Sequence, residues 1–167
     1  MLNITKFSLC LLFASLTHQV CAQDGDCIHS AAICFQINPL LIKAIILKES
    51  GNNPNAVNKN KNGTIDMGIM QINSRHLNTF SRMGITRNEL MSNRCTNIFS
   101  GSWLLSETIK KNGYSWSSVG NYHSSTPIYH DPYVSDLVAI IVHRKAILDA
   151  IKISSSDIDR IQSKFGC

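Results

Sequence analysis

The sequence lacks any apolar run of the roughly 18 residues that a membrane-spanning helix needs. It contains only 4 prolines and 9 glycines in 167 residues, which excludes a collagen-like or low-complexity chain. Charged residues make up 16%, and the formal net charge is +5. Because 44% of the residues are hydrophobic, disorder is excluded as the dominant state. The sequence therefore predicts a single, mildly basic globular domain.

The first 22 residues differ in composition from the rest of the chain. Lys6 precedes the apolar stretch 7–16, and the segment closes with Val20-Cys21-Ala22. This pattern predicts a signal peptide, residues 1–22, cleaved after Ala22 to release an exported domain, residues 23–167. Lipidation at Cys21 is the alternative, and the bulky Val20 before it disfavours that interpretation.

Cleavage would leave four of the six cysteines in the mature domain: Cys27, Cys34, Cys95 and Cys167. Four cysteines in an exported domain predict two disulfides, with three alternative connectivities. A Cys27–Cys95 bridge would close a long loop, and a Cys34–Cys167 bridge would tie the C-terminal tail to the first helix. We predict no metal site and no cofactor, because neither CxxC nor HxxxH spacing occurs.

Hydrophobic periodicity predicts helices along nearly the whole mature chain. The expected helices span residues 27–37, 40–50, 74–83, 96–111, 116–123, 131–151 and 156–164. The segment 40–50, preceded by the capping pair Asn38-Pro39, is apolar on almost every side and should be central. Residues 52–63 are predicted as a loop. The expected fold is mainly α, with a cleft and a small loop or β region.

Two helix starts are predicted from local signals. Thr86 and Glu89 have the spacing of a capping box. The pair Asp131-Pro132 is expected to begin the last long helix, residues 131–151. Its expected inward-facing residues are Val134, Leu137, Val138, Ile141 and Val142.

Glu49 is the carboxylate whose ionisation the sequence disfavours most. It lies in the last turn of the buried helix, at the negative end of the helix macrodipole, one turn after Ile45 and Ile46. Apolar surroundings desolvate the carboxylate as well, so we expect its pKa to be raised. A carboxylic acid that stays protonated near neutral pH suits general acid catalysis of glycosidic-bond cleavage. The alternative is a glutamate that reaches solvent past the helix end.

Glu49 belongs to the first of three motifs that together form a recognisable pattern. Glu49-Ser50 is followed by residues 66–73, DMGIMQIN, and then by residues 119–122, VGNY. This pattern resembles the lytic transglycosylases with a lysozyme-like fold. More narrowly, it is similar to the small specialised enzymes of type III secretion, conjugation and type IV pilus systems. The resemblance extends over about residues 27–122.

The resemblance implies a role for each matching residue. Glu49 corresponds to the catalytic acid and base, and Ser50 to a hydroxyl that supports the substrate beside it. Tyr122 corresponds to an aromatic residue that orients the glutamate. The strip that shapes the cleft floor and contacts sugar corresponds to Gly68, Met70, Gln71 and Asn73.

Two further positions bear on the resemblance. Many relatives continue Tyr-Asn-Ala-Gly, whereas this chain has Tyr122-His123-Ser124-Ser125, which leaves a substrate contact by His123 open. The specialised relatives also place a disulfide at the positions of Cys27 and Cys95, which favours that pairing among the three.

The implied reaction is non-hydrolytic cleavage of peptidoglycan in the periplasm by a monomer. Glu49 would protonate the oxygen between N-acetylmuramic acid and N-acetylglucosamine, while the substrate's N-acetyl group stabilises the developing charge. Glu49 would then act as base on the muramoyl 6-hydroxyl, closing a 1,6-anhydro ring. Such an enzyme would open the cell wall locally for a secretion, pilus or conjugation machine.

Asp66 introduces an alternative reaction. A second carboxylate within about 5–9 Å of the first would allow lysozyme-like hydrolysis. Asp66 can equally serve an Asx-turn or a cap in its loop. A third alternative is a catalytically silent peptidoglycan-binding module, against which the intact Glu49, Gln71 and Tyr122 argue.

Other conspicuous residues receive structural interpretations. His123 and His130 lack a third ligand at metal spacing, so surface or hydrogen-bonding roles are expected. Trp103 is expected in the core, and Trp116 is evenly balanced between the core and stacking on sugar. Nucleic acid is not an expected partner, because the basic residues are scattered and the protein is expected to be exported. Attraction to anionic peptidoglycan is a better match to the small positive charge.

Overall fold

An apolar helix, α2 (Pro39–Ser50), lies at the centre of the computed structural model, which describes residues 25–167. The Asn38 side chain accepts a hydrogen bond from Leu40 N at its start, and Gly51 ends it at φ 61°. The cap at Asn38 and the end of the helix at Ser50 agree with the sequence prediction. The buried residues of α2 are Leu41, Ile42, Ala44, Ile45 and Ile46. The predicted signal peptide, residues 1–22, lies outside the described residues.

The other helices of residues 25–167 complete a mainly α domain of lysozyme-like architecture. They are α1 (Cys27–Phe35), α3 (Leu77–Arg82), α4 (Arg87–Ser92), α5 (Arg94–Asn112), α6 (Trp116–Gly120), α7 (Pro127–His143), α8 (Lys145–Ala150) and α9 (Ile158–Phe165), with a 3-10 turn at Ser74–His76. Helix α4 begins with the predicted capping box of Thr86 and Glu89. No single helix of residues 25–167 is long and apolar enough to cross a membrane; only α1 and α2 together, bent by 119°, reach that length and composition.

Two small antiparallel sheets complete the fold of the described residues, 25–167. Strand β1 (Gly25–Asp26) pairs with β5 (Ser154–Ser155), and the second sheet has the order β2 (Val57–Lys59), β3 (Ile65–Met67), β4 (Ile72–Asn73). The sequence prediction of a loop over residues 52–63 is therefore wrong at β2. Its three residues are exposed, so pairing with β3 rather than an apolar pattern holds the strand in place.

Two disulfides fix both ends of α1. Cys27 is bonded to Cys95 in α5, with 5.4 Å between the Cα atoms. Cys34 is bonded to Cys167 at the C-terminus, with 5.5 Å between the Cα atoms. Of the three alternative connectivities, the structure thus contains Cys27–Cys95 together with Cys34–Cys167.

The prediction for the last long helix is wrong at both ends. Helix α7 begins at Pro127, with Pro132 inside it, and ends at His143 before α8. Pro127 suits the first helical position, where a missing N–H costs nothing. The expected inward face is correct at Leu137, which is fully buried, but the sequence prediction did not include Tyr133, the other buried residue of the helix. Of the other expected residues, Val138 and Val142 are 38% and 62% exposed, and Val134 and Ile141 are half-buried.

The two tryptophans differ in environment. Trp103 is partly buried and packs its ring edge-on against Phe80, with 5.7 Å between ring centroids. It lies at the margin of the core rather than within it. Trp116 is 46% exposed, so it does not belong to the core.

Candidate active site

Glu49 lies in the wall of a cleft of about 550 Å³ that runs between the helical core and the β2–β3–β4 sheet. The lining residues are Glu49, Asn58, Asn60, Asp66, Gln71, Ile72, Asn73, Arg75, His76, Leu104, Thr108, Asn121, Tyr122 and His123. Glu49 and Asp66 are the carboxylates among these described residues. Within residues 25–167, no group of three or more His, Cys, Asp or Glu side chains is arranged to hold a metal ion.

Burial raises the pKa of Glu49 from its ordinary value of 4.5 to about 7. The sequence predicts this direction, with desolvation as one of two expected causes beside the helix macrodipole. The negative charge of Asp66 contributes to the raised pKa. A hydrogen bond from Tyr133 and the positive charge of Lys48 act in the opposite direction. Glu49 is therefore an acid that holds its proton up to neutral pH, as a proton donor to a substrate oxygen must.

Tyr133 holds the Glu49 carboxyl in place. Its hydroxyl donates a hydrogen bond of 2.7 Å to Glu49 Oε1. Tyr133 is only 3% exposed and lies on the buried stripe of α7, which packs against α2. The ring of His123 stacks on that of Tyr133, with 4.7 Å between centroids and 4° between planes. Sequence reasoning missed Tyr133, although its position one turn before the apolar Leu137 marked it as inward-facing.

Tyr122 makes a different contact from the one expected by resemblance. Its hydroxyl donates a hydrogen bond of 2.8 Å to the Met70 carbonyl oxygen, across the cleft floor. The hydrogen bond to Glu49 comes from Tyr133 instead. Tyr122 remains close enough for the Glu49 charge to contribute to its raised pKa, after burial. It thus joins the segment after α6 to the strip at residues 68–71.

The strip at residues 68–71 is a tight turn between β3 and β4. Gly68 and Gln71 have positive φ values of 74° and 50°, a conformation that glycine adopts freely and other residues adopt at a cost. Ser50 Oγ donates to the Ile69 carbonyl oxygen at 2.8 Å, so this hydroxyl joins the end of α2 to the strip. Gln71 lines the cleft, and its Nε2 donates to the Gly68 carbonyl oxygen at 2.7 Å.

Asn97 of α5 supports the strip from below. Its Oδ1 accepts a hydrogen bond of 2.9 Å from Met70 N, and its Nδ2 donates to the carbonyl oxygens of Met67 and Leu90 at 2.9 and 2.8 Å. Asn97 is only 1% exposed, and these three hydrogen bonds pair both the oxygen and the nitrogen of its buried amide. A buried, fully paired amide of this kind rigidifies the turn that it contacts. Sequence reasoning did not single out Asn97, since an asparagine within a helix pattern carries no signal of a distant partner.

Asp66 is held by two side-chain amides, from Asn60 just after β2 and from Asn73 in β4. Asn73 Nδ2 donates to Asp66 Oδ1 at 2.7 Å, and Asn60 Nδ2 donates to Asp66 Oδ2 at 2.9 Å. The structure thus places Asp66 in the same cleft as Glu49, but in a polar environment where Glu49 has an apolar one.

The comparison with known families agrees with this arrangement. The model of the family described as "Transglycosylase SLT domain" matches residues 26–128, more than half of the chain. The chain belongs to this family. Glu49, the strip and Tyr122 all lie within the matched residues of the SLT domain, whereas Tyr133 lies beyond them.

Several known proteins are similar in sequence to this SLT-domain chain. It is 39% identical over 102 residues to "Invasion protein IagB" of Salmonella typhimurium, covering 61% of this chain and 64% of the relative. It is 41% identical over 102 residues to "Protein IpgF" of Shigella flexneri, covering 61% and 67%. It is 35% identical over 117 residues to "X polypeptide" of Escherichia coli, covering 70% and 67%. The chain thus spans just under two thirds of the length of the Salmonella relative.

The SLT domain brings together most of the residues that the sequence singles out. The cleft is lined by Glu49, Asp66, Gln71, Asn73, Tyr122 and His123. Ser50, Gly68 and Met70 are outside the lining and instead shape the strip through their contacts. His130 lies away from the cleft lining, where its ring contacts Asp131 and the Ser117 carbonyl oxygen.

Proposed function

We propose that this chain is an exported peptidoglycan lytic transglycosylase, cleaving the β-1,4 bond between N-acetylmuramic acid and N-acetylglucosamine with formation of a 1,6-anhydro ring. The observation that carries the proposal is Glu49, an acid with a pKa of about 7 in the cleft of an SLT domain. Glu49 donates its proton to the glycosidic oxygen. The same carboxylate then accepts the proton of the muramoyl 6-hydroxyl.

The other cleft residues bind and orient the glycan. Gln71, Asn73 and Tyr122 line the cleft beside Glu49, so their amide and phenol groups are available for hydrogen bonds and stacking with sugar rings. Ser50, Gly68 and Met70 act on the substrate through the shape of the strip. The reaction uses the substrate's own N-acetyl group for charge stabilisation, so a carboxylate nucleophile is unnecessary.

A hydrolytic lysozyme activity is the second candidate, because Asp66 lines the same cleft and its charge raises the pKa of Glu49. In that reaction Asp66 stabilises the developing positive charge or activates a water molecule. Its two amide hydrogen bonds hold the carboxyl group in place, as either role demands.

The decisive test is mass spectrometry of the soluble products released from purified peptidoglycan by the oxidised protein. Muropeptides lighter by one water at the muramic end support the transglycosylase, and reducing ends support the hydrolase. Glu49→Gln should lose about 10³-fold or more of the activity. Glu107→Gln, an exposed change on α5, is the matched control and should retain it. If neither the parent nor the control protein releases products while both still bind peptidoglycan, the chain is a binding module.

We further propose that the protein acts in the periplasm, after cleavage of residues 1–22, on behalf of an envelope-spanning machine. The name of the Salmonella relative, an invasion protein, and the resemblance to enzymes of type III secretion, conjugation and type IV pilus systems support this proposal. Deleting the gene should impair assembly of one such machine, and the Glu49→Gln allele should fail to restore it. Normal secretion, piliation and conjugation in the deletion strain would contradict this assignment.

A further inference from the structure

The ring of His123 lies flat on the ring of Tyr133, at the edge of the cleft. The two centroids are 4.7 Å apart and the planes are 4° from parallel. His123 belongs to the segment that follows α6, where its backbone N donates to the Gly120 carbonyl oxygen at 3.1 Å. Tyr133 belongs to α7. The stack therefore joins two elements that both border the site.

Tyr133 is the residue through which this stack reaches Glu49. Rotation of Tyr133 about its Cα–Cβ bond would carry the hydroxyl away from Glu49 Oε1, which it now contacts at 2.7 Å. The imidazole blocks that rotation on one face of the ring. Because the imidazole and the phenol bury flat apolar faces against each other, the contact also keeps water from the face of Tyr133 that His123 covers.

We propose that His123 is a positioning residue that holds the Tyr133 hydroxyl on Glu49 and shields their hydrogen bond from water. This inference rests on the proposed function of the cleft. The assignment differs from a sugar contact, which is the role that the resemblance leaves open for this position. His123 acts here through Tyr133 and Glu49, while its outer edge lines the cleft.

Burial and the neighbouring Lys48 favour the neutral form of His123. Burial lowers the pKa of His123 below its ordinary value of 6.5, and the positive charge of Lys48 on α2 lowers it further. Asp66 on β3 acts in the opposite direction. Lys48 is itself paired with Asp136 on α7, and Tyr122 and Tyr133 are the neighbouring phenols.

A neutral ring adds no positive charge beside Glu49, so it does not oppose the burial that raises the pKa of this acid to about 7. Protonation of His123 in acid would place a cation on the Tyr133 ring and close to Glu49. That cation would favour the ionised carboxylate and lower the pKa of Glu49.

The test uses three proteins: the parent chain, His123→Ala and His123→Phe. Alanine removes the stacked ring, whereas phenylalanine keeps a flat ring and removes both nitrogens. The first readout is kcat and KM on a soluble glycan-strand oligomer. The second readout, which needs no activity, is the pKa of Glu49 from NMR titration of its 13C-labelled carboxyl group. Thermal unfolding of each protein verifies that it is folded.

Positioning predicts that His123→Ala lowers kcat about 10- to 100-fold with KM within a factor of two, because a displaced acid loses alignment. The loss of the Tyr133 hydrogen bond would raise the pKa of Glu49, and entering water would lower it. Because burial is the largest cause of the raised pKa, we expect a net fall of about one unit. His123→Phe should keep kcat within about threefold and leave the Glu49 titration in place.

Two outcomes would overturn the inference: an unchanged Glu49 titration in His123→Ala, or a rise in KM at constant kcat in both variants, which is the signature of a substrate contact. If His123→Ala does not fold, a phenylalanine variant with lowered kcat and an altered Glu49 titration also overturns it. Failure of the proposed function appears separately, as a parent chain that releases no products while its Glu49 titration still responds to His123→Ala.

Discussion

At the scale of single residues, the pKa of Glu49 results from opposing contacts. Burial and Asp66 raise it, while the Tyr133 hydrogen bond and Lys48 lower it, giving a value of about 7. Removing the phenol hydroxyl in Tyr133→Phe should therefore raise the pKa further, because the ionised form loses its donor. We expect the alkaline limb of the pH–activity profile to move upward by about one unit.

The same substitution leaves the stacked ring in place, so any change belongs to the hydroxyl rather than to packing. Tyr129→Phe, on the same helix and 60% exposed, is the matched control and should leave the profile where it is. A downward displacement of the limb in Tyr133→Phe would mean that entering water outweighs the lost hydrogen bond.

The sequence was sufficient to single out Glu49 but not the residue that holds it. A glutamate in the last turn of an apolar helix is unusual in itself, since its neighbours in sequence already predict desolvation. Tyr133 is separated from Glu49 by 84 positions, and nothing local to it indicates a carboxyl partner. The resemblance pointed instead to Tyr122, whose hydroxyl reaches the Met70 carbonyl oxygen.

At the scale of elements, the strip at residues 68–71 depends on close packing between Gly68 and α4 and α5. A Cβ atom added at Gly68 would lie 2.9 Å from the Leu90 carbonyl oxygen and against the Asn97 side-chain amide. Gly63 has a similar positive φ, 83° against 74°, with nothing within 4 Å of an added Cβ atom.

Gly68→Ala and Gly63→Ala therefore form a matched pair. Both should lose about 1 kcal/mol of unfolding free energy, because alanine resists a positive φ. Gly68→Ala should lose about 2–3 kcal/mol more, because backbone and a buried amide must move. Urea unfolding at constant m value measures the difference. Equal losses in the two variants would show that Asn97 and Leu90 yield without cost, and that the strip is not held by close packing.

Element boundaries were predictable where a cap or turn residue was present and not elsewhere. Asn38, Gly51 and the Thr86–Glu89 box fixed their helix ends because each acts on the adjacent backbone. The exposed strand β2 depends on its partner β3, which a local pattern does not reveal. Pro132 was a misleading signal, since Pro127 five residues earlier already satisfies the first-turn preference.

At the scale of the whole molecule, two disulfides and the apolar core stabilise the fold, whereas the buried carboxyl of Glu49 in the cleft destabilises it when ionised. Helix α1 is bonded to α5 at one end and to the C-terminus at the other. The disulfides join residues 68 and 133 positions apart and so reduce the conformational entropy of the unfolded chain. In the chain-entropy description, each increases the free energy of unfolding by about 4–5 kcal/mol. Such a scaffold tolerates a desolvated acid at Glu49, which by itself destabilises the fold when it ionises.

This cost predicts how stability depends on pH. The pKa of Glu49 is about 7 in the fold and 4.5 ordinarily, so the folded state binds more protons between these values. The stability that protonated Glu49 contributes is therefore fully present below pH 4.5 and lost as pH rises through about 7. Glu49→Gln cannot ionise at this position. Between pH 4 and pH 8, the free energy of unfolding of Glu49→Gln should therefore rise relative to that of the parent by up to about 3 kcal/mol.

Glu89→Gln provides a control of opposite sign in the same measurement. Hydrogen bonds from Lys164 and Thr86 lower the pKa of Glu89 to about 2, so its contribution to stability is complete above its ordinary pKa and lost only as pH falls towards 2. Between pH 5 and pH 8 the difference between Glu89→Gln and the parent should therefore stay constant, while that for Glu49→Gln changes. Urea unfolding at several pH values distinguishes the two. A constant difference for Glu49→Gln over this range would mean that Glu49 ionises in the fold as it does in the unfolded chain, and the proposed proton donor would lose its physical basis.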